Sequence, residues 1–396
     1  MQVYGIVVFL ILFLIIAPDT YLYFRFMRKS VSRSVCVLHW IICAFFALYT
    51  TFILMNVNNI YSPETVCQLM TFVATLGAIY FPKLIFSNFD LFYNLTKRRW
   101  KRLHYWGYFL AAISFVLIMH AIHFGKFKFG KGEYTVEIEN LPESFDGYKI
   151  VQVSDFHLGS FSKAMVRVEP LFNMLKEEDA DLVVFTGDMV NTFPEETLGW
   201  DSLFHTIPSK DPKLGIMGNH DHTPYFRWSS PEVKEANSKK IEASIERLGF
   251  KLLKNENHVI RRGNDSIVIS GLDYSNGRKR HIIPAYSNLD KCDENVSDSA
   301  IRILLMHDPT IFDDSIAGKR NYALTISGHT HSAQIGFIIG SFKWSPAHIR
   351  FKYCDGQYFV GKQCIITSRG VGCVGIPARL GMTPEYEVIT LKKKRQ

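Results

Sequence analysis

The sequence predicts a layered α/β domain preceded by four transmembrane helices, and three observations carry that prediction. Four long apolar runs lie in the first third of the chain, short apolar strands alternate with helical patterns in the remainder, and the excess positive charge is confined to the first part. The 396 residues carry a net charge of +8, and 47% of them are hydrophobic. A mean hydropathy of +0.04 is high for a soluble enzyme and low for a chain lying wholly in a membrane. That average conceals two unlike parts. Residues 1–129 hold 12 Lys/Arg against 3 Asp/Glu, whereas residues 130–396 hold 33 against 34. An aromatic content of 14% excludes a disordered chain. A pI of about 9.0 would point to a polyanion only if the basic residues were grouped on the folded domain. They are elsewhere, so no nucleic-acid partner is expected.

The apolar runs cover roughly residues 4–24, 34–56, 66–88 and 104–124. Each is close to the ~20 residues that a helix needs to cross about 30 Å of hydrocarbon. Runs of this length are too long for strands. The first starts at Met1 with no basic segment and no small-residue cleavage site, and reads as a retained anchor rather than a signal peptide. Arg25, Arg28, Lys29 and Arg33 follow the first run, and Lys97, Arg98, Arg99, Lys101 and Arg102 follow the third. The loop after the second, Val57 to Glu64, has no Lys or Arg. Positive charge prefers the cytoplasmic side. The expectation is therefore a multi-pass cell-membrane protein with both basic loops inside and the domain after residue 125 outside the cytoplasm. Lys126, Lys128 and Lys131 oppose this weakly, because a large following domain translocates largely regardless of charge. Asp19 and Lys83 fall inside the first and third runs, where each could snorkel to the interface or the two could pair between helices.

Residues 130–396 are long enough for a substantial core. Strand-like runs recur at Lys149–Val153, Leu182–Phe185, Leu214–Met217, Ser266–Ser270, Ile301–Met306, Ala323–Ser327, Cys364–Thr367 and Tyr386–Leu391. Helical patterns separate several of them, notably 163–178, with Pro170 as an expected break, and 232–248, ended by Gly249. This mixture implies layers with sheets inside, and strands so poor in polar positions should be buried on both faces.

The chemistry lies in the residues just after each strand. Ser154-Asp155-Phe156-His157 follows Val153, Thr186-Gly187-Asp188 follows Phe185, and Gly218-Asn219-His220-Asp221 follows Met217. His307 follows Met306, and Gly328-His329-Thr330-His331 follows Ser327. Carboxyl ends of strands in an α/β sheet are where ligands bind. Imidazole, carboxylate and amide oxygen without thiolate suit divalent ions such as Mn, Fe or Zn. A shared carboxylate can bridge two ions ~3.5–4 Å apart, a spacing that clamps a phosphoryl group and activates water. Glycines before Asp188, Asn219 and His329 permit tight turns.

Taken in order, Asp-x-His, Gly-Asp, Gly-Asn-His-Asp, His and Gly-His-x-His resemble the motif series of the calcineurin-like metallophosphoesterase family, over essentially all of residues 145–395. The preceding spans and the tail Ser368-Arg369-Gly370, Pro377, Arg379 and Pro384-Glu385 are similar to its membrane-anchored prokaryotic branch. The resemblance implies a four-layer αββα sandwich with a dinuclear site on the loops after the strands. It implies that Asp155, His157 and His331 hold one divalent ion, that Asp188 bridges both, and that Asn219, His307 and His329 complete the shell of the second. His220 would contact the phosphate and assist the leaving group, with Asp221 orienting it. A hydroxide bridging the ions would attack phosphorus in line. The expected activity is hydrolysis of phosphoester or diphosphate bonds, with lipid-linked substrates favoured because the site is tethered to a bilayer. One alternative is a phosphodiesterase or nuclease on soluble or cell-surface substrates, which the near-neutral domain opposes. Another is a non-catalytic membrane scaffold with a structural metal site, which the complete ligand set and His220 oppose. Many members of that family continue Gly-His-x-His with two glycines, where this chain has the small Ser332-Ala333, so close backbone packing can survive while the local loop geometry stays open.

Other features are secondary. Cys354 and Cys364 flank a hairpin around Asp355-Gly356, which leaves a disulfide open beside free buried thiols. Arg278-Lys279-Arg280-His281 reads as a solvated loop before a substrate clamp. The stretch Phe337–Trp344 is unusually apolar for one so close to the motifs; core or hairpin is the first reading and a lipid-facing rim the second.

Overall fold

The computed structural model describes residues 2–60, 62–161, 164–274, 286–340 and 342–395. The segment Arg278–His281 lies outside the described residues. Two compact units divide the chain, Met1–His123 and Phe124–Gln396.

The first unit holds α1 (Gln2–Leu22), which runs on into a π-helical turn at Tyr23–Met27, then α2 (Arg33–Ile60), α3 (Pro63–Leu95) and α4 (Lys101–His123). All four are long and apolar enough to cross a membrane. Large apolar side chains such as Phe13, Phe45, Leu48 and Val116 point outward, while Asp19 and Asp90 are fully buried. That is the reverse of a water-soluble protein, and it matches helices solvated by hydrocarbon. Lys83 Nζ donates to Asp19 Oδ1 at 2.7 Å and the Tyr80 hydroxyl donates to Oδ2 at 3.0 Å, so the two ionisable residues pair rather than snorkel. Asp90 accepts from the Tyr21 hydroxyl at 2.6 Å and from Arg25 Nε at 2.9 Å, and His104 Nδ1 lies 2.7 Å from its other oxygen. Buried charge in a span is held only where partners converge on it.

The second unit opens with β1 (Gly130–Ile138), β2 (Lys149–Val153), α5 (Glu169–Glu177), β3 (Leu182–Phe185), α6 (Asp201–Phe204) and β4 (Leu214–Gly215). It continues through α7 (Pro231–Arg247), β5 (Lys251–Leu252), β6 (Glu256–Arg262), β7 (Asp265–Gly271), α8 (Leu289–Cys292), β8 (Ile301–Leu305) and β9 (Leu324–Ser327). The last elements are β10 (Phe337–Ile339), β11 (Phe342–Trp344), β12 (Gly356–Val360), β13 (Gln363–Thr367) and β14 (Glu385–Lys393). One six-stranded sheet has the order β1-β14-β2-β3-β4-β5, the other β12-β13-β9-β8-β7-β6, and β10-β11 stands apart as a hairpin. Strands β2 to β5 are mutually parallel, as are β7, β8, β9 and β13.

Side-chain alternation along the strands builds four layers. Ile150, Leu182, Val184, Ile303, Leu305 and Ile326 meet between the sheets. On the outer face of the first sheet, Val151, Val183 and Phe185 pack against Leu171 and Phe172 of α5 and Ile241 and Ile245 of α7. On the outer face of the second, Leu304, Met306 and Ile365 pack against Cys292 of α8 and the helical turns carrying Phe312 and Ile316. The domain is thus an αββα sandwich. Gln152, on the inner face of β2, donates to Thr186 Oγ1 at 2.8 Å and to the Ser327 carbonyl at 2.7 Å, tying the two sheets together beneath the strand ends.

One expectation is corrected and one open alternative is resolved. Pro170 does not break a helix but sits in the first turn of α5, where its missing N–H costs nothing. Cys354 and Cys364 are both free and buried. The β12–β13 register sets Phe359, not Cys354, opposite Cys364.

Candidate active site

The loops after β2, β3, β4, β8 and β9 meet at one rim of the sandwich, because parallel strands present their carboxyl ends together. Asp155, His157, Asp188, Asn219, His307 and His331 are all at most 4% exposed. His331 Nε2 lies 3.2 Å from Asp155 Oδ1 and 3.1 Å from His157 Nε2. Asp188 Oδ2 lies 3.5 Å from His157 Nε2 and 3.2 Å from His307 Nε2. His307 Nε2 is in turn 3.0 Å from Asn219 Oδ1 and 3.2 Å from His329 Nδ1. Two donor groups result, Asp155/His157/Asp188/His331 and Asp188/His307/His329, each with ligand atoms within 4.8 Å of one another, and Asp188 belongs to both. All seven residues anticipated as metal ligands are brought together.

The backbone aims these side chains by turning sharply. Asp155, His157, Asp188, His329 and His331 have φ between 40° and 74°, the left-handed region that side chains other than glycine rarely adopt. Hydrogen bonds hold the turns: Asp155 N–H donates to the Gly187 carbonyl at 2.8 Å, and His157 N–H to the Asp188 carbonyl at 3.1 Å. Gly187 has φ +97°, and a Cβ there would sit 2.7 Å from His307 Nδ1. Ser332 and Ala333, which stand where many relatives have glycines, also have φ of 46° and 54°, so the loop keeps a glycine-like path without glycine.

The electrostatics suit a cation. Burial, with His220 close by, holds His157 well below the usual imidazole range, and burial lowers His329 as well. Both shifts favour the neutral imidazole that ligation requires. Burial raises the carboxylates, but the surrounding histidines outweigh it and hold Asp155 and Asp188 below their usual range. For His307, burial is outweighed by Asp188 and Asp155, which push it up to about 10. Its Nδ1 lies 2.7 Å from the Thr186 carbonyl, which fixes the ring. His157 Nδ1 is buried with no hydrogen-bond partner. Converging imidazole nitrogens around a shared carboxylate repel or orphan one another unless a cation sits among them, so the donor set fits divalent metal.

His220 and Asp221 differ from expectation in their partners. Nδ1 of His220 lies 2.8 Å from the Asn191 carbonyl, not beside Asp221. Asp221 instead accepts backbone N–H from Gly218, Asp188, Met189 and Val190 at 2.8–3.3 Å, and so organises the loops that carry Asp188 and His220. A cleft of about 280 Å³ opens over the cluster, lined among others by His220, Tyr225, Arg350 and Phe351. Tyr225, whose hydroxyl accepts from Asn219 Nδ2 at 2.9 Å, was not anticipated, nor was Arg350. Neither carries a local motif. Arg379 is fully buried, with Nη2 3.3 Å from His331 Nδ1 and a donated bond from Nε to the Gly372 carbonyl at 2.9 Å, which explains the tail motif in which it stands.

Sandwich and site together define a metal-dependent phosphoester hydrolase. The family profile of calcineurin-like phosphoesterases matches residues 148–333. An uncharacterized metallophosphoesterase of Aquifex aeolicus is 31% identical over 267 residues, covering 66% of this chain and 91% of that protein. The uncharacterized metallophosphoesterase YkuE of Bacillus subtilis is 28% identical over 267 residues, covering 66% and 84%. A transmembrane protein with metallophosphoesterase domain from Danio rerio is 27% identical over 263 residues, covering 65% of this chain and 56% of that protein. The chain belongs to the calcineurin-like phosphoesterase family.

Proposed function

We propose that this chain is a membrane-anchored phosphohydrolase that works with two divalent ions on the outer side of the cell membrane, with lipid-linked phosphates or diphosphates as its favoured substrates. The observation that supports two ions is the membership of Asp188 in both donor groups. Asp155, His157 and His331 would hold one ion, Asn219, His307 and His329 the other, with Asp188 between them. Such ions supply charge neutralisation at the phosphoryl oxygens and a water acidic enough to attack at neutral pH.

The chain's own residues do the rest. Asp188 Oδ1 accepts the His220 N–H at 2.8 Å, which couples the bridging carboxylate to the loop above it. With Nδ1 of His220 committed to the Asn191 carbonyl, Nε2 remains to bind a phosphoryl oxygen or to protonate the leaving oxygen. Asp221 positions both residues through four backbone amides. Arg350 lines the cleft as a cation for the substrate's negative charge.

The test is turnover by the full-length protein on a chromogenic phosphomonoester and a phosphodiester side by side, with Mn, Zn and Fe supplied in turn. Hydrolysis should require metal, and Asp188→Asn or His329→Ala should lower kcat by at least about 10³. Wild-type turnover in either variant would sink the two-ion mechanism. A preference for the diester would favour the phosphodiesterase reading, and bound metal without hydrolysis the scaffold.

A further inference from the structure

We propose that the β10–β11 hairpin is a wedge that inserts into the lipid surface and seats the mouth of the cleft on the bilayer. Gln334 and Arg350 both line the cleft, so the intervening chain leaves the rim and returns to it. Between them Phe337, Ile338, Ile339, Phe342 and Trp344 are 38–69% exposed, and Ile349 at the base is 83% exposed. Successive strand residues face opposite ways, so Phe337, Ile339, Phe342 and Trp344 lie on one side of the ribbon and Ile338 beside Lys343 on the other. A groove or flat protein partner would cover one face. A lipid interface accommodates both, its apolar zone taking the aromatic face and its headgroups the Lys343 ammonium.

The two strands of the hairpin pair without a core of their own. Phe337 stacks on Trp344 at 5.8 Å and lies 5.9 Å from Phe342. Its root is fixed, since Gly336 N–H donates to the Leu380 carbonyl at 2.9 Å and Ser345 is fully buried. Phe337 and Trp344 pair at the base of the hairpin and Phe342 lies nearer its turn, aromatic side chains that favour the membrane interface. Charge agrees with this occupant. The hairpin itself carries Lys343, 3.9 Å from the buried Asp355, and no Asp or Glu, which complements anionic headgroups. The tether to a bilayer is short, because the fourth candidate span ends at Phe127 and β1 begins at Gly130.

For catalysis, and resting here on the proposed phosphohydrolase reading, the wedge lets a lipid-borne phosphate reach the cleft without leaving the headgroup layer. The experiment uses the full-length protein in nanodiscs containing an anionic phospholipid. A diazirine amino acid in place of Ile339 should label a fluorescent phospholipid on irradiation. The same group in place of Phe359 should not, because Phe359 is 61% exposed but sits opposite Cys364, at the far rim of the sheet. In the second arm, the double variant Ile338→Asp/Ile339→Asp should leave turnover of soluble p-nitrophenyl phosphate unchanged and raise KM for a long-chain lipid monophosphate at least tenfold. Equal lipid labelling from both positions, labelling of protein alone, or equal losses on both substrates would overturn the wedge. If the wild type hydrolyses neither ester, the phosphohydrolase reading fails while the labelling arm still decides the wedge.

Discussion

Asp155, His157, Asp188, His329 and His331 occupy backbone conformations that cost of order 1–3 kcal/mol each, and the hydrogen-bonded turns beneath them meet that cost. The strain buys direction: it turns each side chain back over the sheet edge toward one point. Ser332 and Ala333 extend the same left-handed path although neither holds a donor of the cluster. Ala333→Gly should therefore stabilise the protein by roughly 1 kcal/mol, seen as a rise of a few degrees in Tm. A lower Tm would show that the loop is not strained there. Gly187→Ala acts oppositely, because its Cβ would sit 2.7 Å from both His307 Nδ1 and the Gly218 nitrogen. It should cost at least about 2 kcal/mol and strip metal from the purified protein, measurable by elemental analysis. Glu387 offers a pH test away from the site. Its side chain, fully buried and in phase with inward Ile389, is pushed up to about 7 by burial, with Arg369 opposing. The folded chain thus keeps a proton that the unfolded chain releases near pH 4.5. That contribution to stability is fully present below the unfolded value and is lost as pH rises toward 7. Tm should fall between pH 5 and 7.5, and Glu387→Gln should flatten the fall; an unchanged slope would assign it elsewhere.

Among elements, the helices of the first unit carry the sharpest test. Asp19 and Lys83 are far apart in sequence yet 2.7 Å apart in space, inside segments suited to hydrocarbon. Removing one partner of a buried pair strands the other, at a cost of about 3–5 kcal/mol, whereas removing both is often near neutral. Asp19→Leu should therefore lower the Tm of the detergent-solubilised protein by more than the double variant Asp19→Leu/Lys83→Leu does. Equal losses would mean that the pair contributes packing and little else. The Asp90 cluster with Tyr21, Arg25 and His104 makes a second such tie between α1, α3 and α4. It was not foreseen, because Asp90 lies past the end of the apolar run and its partners come from two other helices.

At the scale of the whole molecule, the features legible in the sequence were those that repeat locally. Apolar run length marked four helices, and each site segment announced itself within four residues of a buried strand. Strands that are half exposed escaped: β1 alternates exposed and partly buried positions, and it is a strand because it lies parallel to β14, some 250 residues away. Tyr225 and Arg350 escaped for the same reason, since only the assembled sheets bring their loops to the cleft. Orientation in the membrane is written in charge rather than in packing. The α1–α2 and α3–α4 connections hold Arg25, Arg28, Lys29 and Arg33, and Lys97, Arg98, Arg99, Lys101 and Arg102, while the α2–α3 connection holds no basic residue. On the proposed topology, helices that cross in turn would put both basic connections on one side, which the positive-inside bias would make cytoplasmic, and residues 130–396 on the other. Protease added to sealed right-side-out vesicles should therefore digest the domain and spare it in inverted ones. Replacing the nine basic residues with Gln should make the orientation mixed, because they hold the positive charge that distinguishes the two sides. Protection of the domain in right-side-out vesicles would reverse the proposed topology, and would move the proposed lipid-linked substrate from the outer leaflet to the inner.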